Sequence, residues 1–152
     1  IRDHFDQVGK GRRLDFKRLD PVREFWADPE MLRTIVVNLV DNAIKYSPSD
    51  KSVEITFIVR NNCLVIEVAD RGIGIPTDEQ VHVGRRFFRA SNTGSTAGSG
   101  LGLHGCRQLL DYHGGTLNLT PRDGGGIIAT ARLPLDRLRT EGAAQENGDV
   151  MA

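Results

Sequence analysis

Asn38-Leu39-Val40-Asp41-Asn42-Ala43-Ile44-Lys45-Tyr46-Ser47 decides how the rest of the chain is read. Together with Ala27-Asp28-Pro29-Glu30 before it, the stretch predicts a helix. Asp28 suits the N-cap, Pro29 suits the first helical position, and Pro48 ends the run. Apolar residues recur at Met31, Leu32, Ile35, Val36, Leu39, Val40, Ala43 and Ile44, the spacing of one buried stripe. At about 100° per residue, Asn38, Asp41, Asn42 and Lys45 gather on another side. Amides, a carboxylate and an ammonium therefore share a face. A polar face alone is what any solvated helix shows, so its meaning depends on the segments that follow.

Two strands are expected next, Val53–Arg60 and Cys63–Asp70, joined across Asn61-Asn62, which tolerate a left-handed turn. Strand parity puts Leu64, Ile66, Val68 and Asp70 on one face, so a carboxylate closes an apolar row and needs a donor there. Asp70-Arg71-Gly72-Ile73-Gly74-Ile75-Pro76 follows, its glycines permitting a tight turn beside whatever the carboxylate meets, although Asp-x-Gly at a strand end also describes a plain turn. Thr77 to Gln80 reads as a helix start, continued from Val81 to Arg89. Phe87 and Phe88, flanked by Arg85, Arg86 and Arg89, read as core anchors or as a hinge. Ala90 to Ala97 has no apolar periodicity and reads as a mobile loop.

Gly98-Ser99-Gly100-Leu101-Gly102-Leu103 then opens a helix with Leu103, Cys106, Leu109 and Leu110 inward, closed at Gly114. A glycine-rich loop leading into a helix N-terminus is an anion site, because free N–H groups and the helix dipole both favour a phosphate. Thr116–Thr120 and Ile127–Leu133 form a last hairpin around Pro121-Arg122-Asp123-Gly124-Gly125-Gly126. Before the main helix, Arg12 to Leu19 and Val22 to Trp26 are expected as short strands.

The chain has 152 residues, enough for one core, and 20 basic residues balance 20 acidic ones, so no net field favours nucleic acid or an acidic membrane. Cys63 and Cys106 lack metal-ligand spacing and read as reduced thiols. No apolar run is long enough to span a bilayer. Residues 1–10 read as linker from a preceding helical domain, 11–137 as the folded domain and 138–152 as a disordered tail; the missing initiator Met suggests a piece of a longer protein.

These parts ask for one ligand: a donor-bearing ring for Asp70, phosphates for the glycine loop and Lys45, and a hard cation for Asn42. A nucleoside triphosphate with Mg²⁺ supplies all three. The P-loop pattern is missing, so another nucleotide fold is required. The ordered set Asn38–Ser47, Asp70–Pro76, Arg86-Phe87-Phe88-Arg89 and Gly98–Leu103 resembles the N, G1, F and G2 boxes of sensor histidine kinases, of the superfamily shared with gyrase and the heat-shock chaperones. The resemblance runs from about Phe25 to Leu135.

What the resemblance implies is a two-layer α/β sandwich, a mixed β-sheet packed on helices with a flexible lid over ATP. Asn42 would offer its side-chain oxygen to Mg²⁺, with Asn38 supporting the metal and phosphates and standing among the catalytic residues. Lys45 and Tyr46 would reach the phosphates. Asp70 would accept from the adenine amino group, with Gly72 and Gly74 letting the backbone close over the ring. Arg89 would meet the terminal phosphate as the second catalytic residue. Ile75, Phe88, Gly98, Gly100, Leu101 and Gly102 would complete the nucleotide contacts.

The superfamily hydrolases carry a glutamate where this chain has Asn38, a poor general base, which favours phosphotransfer over hydrolysis. None of His4, His82, His104 or His113 has the context of the family's phosphoacceptor, so that histidine would lie on a separate dimerisation domain, and a response regulator would take the phosphoryl group onward. An aromatic usual near Gly84 is missing. The resemblance further implies a cytoplasmic, monomeric domain whose parent could be membrane-anchored, with no nucleic-acid or direct membrane contact. A hydrolysing ATPase and a nucleotide-binding regulatory module remain the alternatives.

Overall fold

The computed structural model describes residues 2–7, 13–18, 27–96, 98 and 100–136. The elements in chain order are α1 (Arg2–Gln7), β1 (Leu14–Arg18), α2 (Pro29–Tyr46), β2 (Val53–Arg60), β3 (Cys63–Ala69), α3 (Gly102–Tyr112), β4 (Thr116–Pro121) and β5 (Ile127–Pro134). The strands form one sheet in the order β1-β2-β3-β5-β4. The β1–β2 pair is parallel and the other three pairs are antiparallel, so the sheet is mixed. Helices α2 and α3 pack on it, giving the expected two-layer α/β sandwich.

Helix α2 begins as its sequence demands. The Asp28 side chain accepts from the N–H groups of Glu30 (2.9 Å) and Met31 (3.4 Å), and Pro29 follows it. Ser47, extended because a proline follows, ends the helix. The guanidinium of Arg13 then gathers carbonyls released at that end, from Ile44 (3.3 Å) and Pro48 (2.6 Å), and so ties the entry of β1 to the helix C-terminus. Met31, Ile35, Val36, Leu39, Val40, Ala43 and Ile44 are all buried, as their spacing requires.

On the sheet, Val53, Ile55, Leu64, Ile66, Val68, Ala129, Ala131 and Leu133 meet those side chains in a single core. Asn61 and Asn62 take left-handed φ values of 50° and 57°, which turns β2 into β3 as the sequence predicts. Helix α3 buries Cys106 and Leu110, while Leu103 and Leu109 are only partly covered. It ends in a Schellman motif: Gly115 N–H donates to the Leu110 carbonyl (2.7 Å) and Gly114 N–H to that of Asp111 (3.0 Å). Burial pushes the Cys106 thiol up to about 12, and both cysteines are free, so Cys106 is an inert core residue.

Three expectations change. The helix expected from Thr77 through Arg89 is a set of turns around one short 3₁₀ segment, Gln80–His82. Gly84 (φ 85°) and Phe87 (φ 63°) are left-handed and cannot continue a right-handed helix. Phe87 is 60% exposed, so it is not a core anchor. Within the loop expected from Ala90 to Ala97, Ser91–Thr93 forms a 3₁₀ turn tied to Glu79, whose carboxylate accepts from both the Ser91 N–H (2.8 Å) and its hydroxyl. The expected strand at 22–26 and the expected tail at 138–152 lie outside the described residues, as does Ala97.

Candidate functional site

A cavity of about 510 Å³ opens between α2, the ends of β3 and β5, and the segment that leads into α3. Its volume lies in the range of small-molecule sites. Of the residues singled out from sequence, Asn38, Asn42, Lys45, Tyr46, Asp70, Gly74, Ile75, Phe88, Arg89, Gly98, Gly100 and Gly102 all line it. They come from four separate stretches of chain, brought together by the sandwich. Gly72 and Leu101 do not line it.

Asp70 is the only buried charged side chain among the described residues. Its Oδ1 accepts from the N–H groups of Gly72 (2.8 Å) and Ile127 (3.2 Å), while Oδ2 takes no bond among the described residues. Burial raises its pKa above the ordinary carboxylate value. The two N–H bonds and the nearby Arg122 charge pull the other way without cancelling it. An acceptor kept partly dry, with one oxygen saturated and the other free, suits a neutral N–H donor in an apolar setting. Val68, Ile73, Leu119 and Ala129 provide that setting.

Gly72 acts from behind the cavity. A side chain there would run into the Tyr46 carbonyl, which also accepts from the Ile73 N–H at 3.3 Å. The glycine thus lets the turn after Asp70 close against the end of α2. Sequence reasoning passed over a second close approach, at Gly126. With φ 101° it lies against the Asp70 backbone, leaving no room for a Cβ. The signal was present in the run Gly124-Gly125-Gly126, of which only the last packs on the site. Asp41 also lines the cavity, on the face the helix spacing indicates.

The opposite end is polar. Helix α3 starts at Gly102 with no side-chain cap on its first turn, so its N–H groups are available to an anion. Asn38 Oδ1 faces it, 3.6 Å from where a Gly102 Cβ would stand. The Lys45 ammonium fills the space over Gly98 and lies 5.2 Å from the Tyr46 ring centroid. Arg89 donates to the Thr96 carbonyl, and its buried Nε has no partner among the described residues. Leu101, 40% exposed, borders a shallow groove between α2 and α3 rather than the cavity.

Gly84 also gains an explanation. Its place is taken from α3: a Cβ there would come 2.7 Å from Arg107 Nε, and His104 Nδ1 lies 3.2 Å from its carbonyl. Arg107 and His104 occupy the room that a bulky residue at this position would need.

The donor set fits a magnesium ion shared with phosphates. Asn38 and Asn42 offer amide oxygens, and no group of three His, Cys, Asp or Glu side chains stands ready as a cage among the described residues.

Comparison with known proteins bears on the family and the fold. The family described as histidine kinase-, DNA gyrase B-, and HSP90-like ATPase matches residues 27–137. The sensor-like histidine kinase SenX3 of Mycolicibacterium smegmatis is 40% identical over 109 residues, 70% of this chain and 28% of that protein. The sensor histidine kinase YkoH of Bacillus subtilis is 39% identical over 109 residues, 70% of this chain and 24% of that protein. The chain thus spans about a quarter of the length of these curated relatives. Among solved structures, the mycobacterial sensor histidine kinase MprB superposes with a TM-score of 0.74 at 29% identity, covering 88% of this chain and 92% of that one. The catalytic domain of histidine kinase ThkA shares the fold, with a TM-score of 0.73 at 24% identity over 88% of each chain. With the family matched over residues 27–137 and the fold shared with solved relatives, this chain belongs to the histidine kinase-, DNA gyrase B- and HSP90-like ATPase family.

Proposed function

We propose that the chain is the ATP-binding catalytic domain of a two-component sensor histidine kinase. The observation that carries the reading is Asp70: a carboxylate buried at the end of an apolar strand row, one oxygen free, across one cavity from Asn42, Lys45 and an uncapped helix N-terminus. Adenine stacks into the apolar end and its amino group donates to Asp70 Oδ2. Gly72 and Gly74 keep the wall close to the ring, beside Ile75 and Phe88. The phosphates lie towards the N-terminus of α3 at Gly102, with Gly98 and Gly100 shaping the approach.

Asn42 would hold Mg²⁺ through its side-chain oxygen, with Asn38 in support, and the ion would supply charge neutralisation at the phosphates. Lys45 and Tyr46 steady the phosphate chain, and Arg89 stabilises charge on the terminal group as it leaves. In the reaction the bond from the γ-phosphorus to the β,γ-bridging oxygen breaks, leaving ADP. A bond from that phosphorus to an imidazole nitrogen forms, with loss of the imidazole proton. The imidazole belongs to a dimerisation and phosphotransfer domain outside this chain, and a response-regulator aspartate accepts the group next. Asn38, unable to act as a strong base, supports transfer over hydrolysis.

Within this reading, residues 11–137 form the catalytic domain, 1–10 a link to the helical domain and 138–152 a tail. Among the described residues no helix is long and apolar enough to cross a membrane. A monomeric domain on the cytoplasmic side of a sensor protein fits the proposal. Calorimetric titration with ATP, with and without Mg²⁺, tests it. Wild type should bind, Asp70→Asn should weaken binding by about 100-fold, and Asn42→Ala should remove chiefly the Mg²⁺ dependence. Absence of binding by wild type would sink the reading. Labelling of a supplied histidine domain from γ-labelled ATP then separates kinase from regulatory module.

A further inference from the structure

We infer that Arg122, held in place by Glu54, is a positioning residue for Asp70 and sets how strongly the site prefers a 6-aminopurine; the inference rests on Asp70 being the base acceptor. Arg122 lies at the start of the β4–β5 turn and its side chain is only 13% exposed. Its Nη1 donates to the Asp70 carbonyl at 3.3 Å and its Nη2 to Glu54 Oε1 at 2.8 Å. The same residue closes the turn: its N–H donates to the Gly126 carbonyl and its own carbonyl accepts from Gly125 N–H, both at 3.0 Å. That turn delivers Ile127, whose N–H donates to Asp70 Oδ1 at 3.2 Å and whose carbonyl accepts the Asp70 N–H at 2.9 Å. Residues 122–127 therefore hold the amide, the carbonyl and one carboxylate oxygen of Asp70. Among the described residues, only the Gly72 N–H comes from elsewhere.

Glu54 is what fixes the guanidinium. It pairs with Ala69 across β2 and β3, and alternation with buried Val53 and Ile55 puts it on the side of the sheet away from the helices. There it also takes Lys17 Nζ at 3.1 Å, with Arg71 4.0 Å away, so β1, β2 and the turn after Asp70 converge on one carboxylate. Arg122 reaches Asp70 from behind, through the main chain, and contributes positive charge that favours the ionised acceptor. A forked guanidinium can hold two acceptors at once, which an ammonium cannot do with the same geometry.

The test compares ATP with purine riboside triphosphate, which carries hydrogen in place of the 6-amino group, at fixed Mg²⁺. Titrations use the whole chain and its Asp70→Asn, Arg122→Met, Arg122→Lys and Glu54→Gln variants. Loss of a hydrogen bond to a charged group corresponds to roughly tenfold or more in affinity, so Asp70→Asn should bring the two nucleotides to similar affinity. Arg122→Met should weaken ATP about tenfold and the analogue less than about twofold, with Arg122→Lys partly restoring the preference. Glu54→Gln should show the same selective loss at about threefold, and it carries the test if Arg122→Met does not fold. Equal weakening of both nucleotides by Arg122→Met, or of neither, overturns the inference and leaves the adenine assignment standing. An unchanged preference in Asp70→Asn overturns both.

Discussion

The two ends of the cavity are built in opposite ways. At the Asp70 end the walls are strands and a closed turn, and the carboxylate oxygen, carbonyl and amide of Asp70 are all bonded to protein. At the Lys45 and Arg89 end the walls are glycines and short turns, the first turn of α3 is uncapped, and a buried guanidinium nitrogen of Arg89 has no partner among the described residues. A buried donor without an acceptor costs about 1–3 kcal/mol, a cost that the phosphates of the proposed nucleotide would relieve. One end is held by protein hydrogen bonds and the other less so, and the two should respond differently to the same kind of change.

The largest effect is expected at the Asp70 end. Asp70→Asn should weaken both ATP and adenosine by about 100-fold, since it replaces a charged acceptor and places an NH₂ group near bound N–H donors. Isothermal titration with the two ligands checks this, and a loss confined to ATP would break the comparison. Next come the glycines. Gly126→Ala forces a Cβ into the Asp70 backbone at φ 101° and should destabilise the fold by about 2–4 kcal/mol, read from thermal or denaturant unfolding. Gly100→Ala at φ 72° meets the Phe88 carbonyl at 2.7 Å, but in a segment with fewer fixed contacts, and should cost about 1–2 kcal/mol.

Lys45→Met addresses the phosphate end alone. It should weaken ATP about tenfold and leave adenosine unchanged, because one ammonium contact to phosphate is removed and the base wall is untouched. Equal loss for both ligands would mean that the two ends are not independent.

The smallest effect is in pH. Burial raises the Asp70 pKa above its ordinary 3.8, so the native state takes up that proton before the unfolded chain does. The contribution of Asp70 to stability therefore improves as pH falls through its folded value towards 3.8, while adenosine affinity declines over that same window. Glu54 behaves oppositely. Arg122 and Lys17 hold its pKa below the ordinary 4.5, so its contribution is present above 4.5 and is lost as pH falls through the lower folded value. Unfolding midpoints of wild type, Asp70→Asn and Glu54→Gln between about pH 3 and 6 should separate the two slopes.

Helix α2, both hairpins and the parity that puts Asp70 in line with Val68 were legible because each follows from a local rule: a 3.6-residue stripe, an Asp-Pro start, a two-asparagine turn, a period of two. The segment from Thr77 to Arg89 was misread for an equally physical reason. Its apolar and charged residues satisfy a helical pattern, but Gly84 and Phe87 are left-handed and interrupt it, and Gly84 packs against Arg107 and His104 on a helix some twenty residues away. Gly126 escaped notice because a glycine run reads as a loose turn until the backbone it touches is known.

The sequence by itself determined which residues are proposed for the chemistry. Carboxylate, amides, ammonium and glycine loop are properties of side-chain type and short spacing, and their order along the chain suffices to group them. Only the tertiary structure decided how Asp70 is held. Arg122 bonds to its carbonyl, Ile127 to its amide and carboxylate, Gly126 lies against its backbone, and Glu54 fixes Arg122 from 68 positions away in the chain. Contacts to backbone carbonyls and amides leave no residue-type signature, so the support of the acceptor becomes visible only when the sheet is assembled.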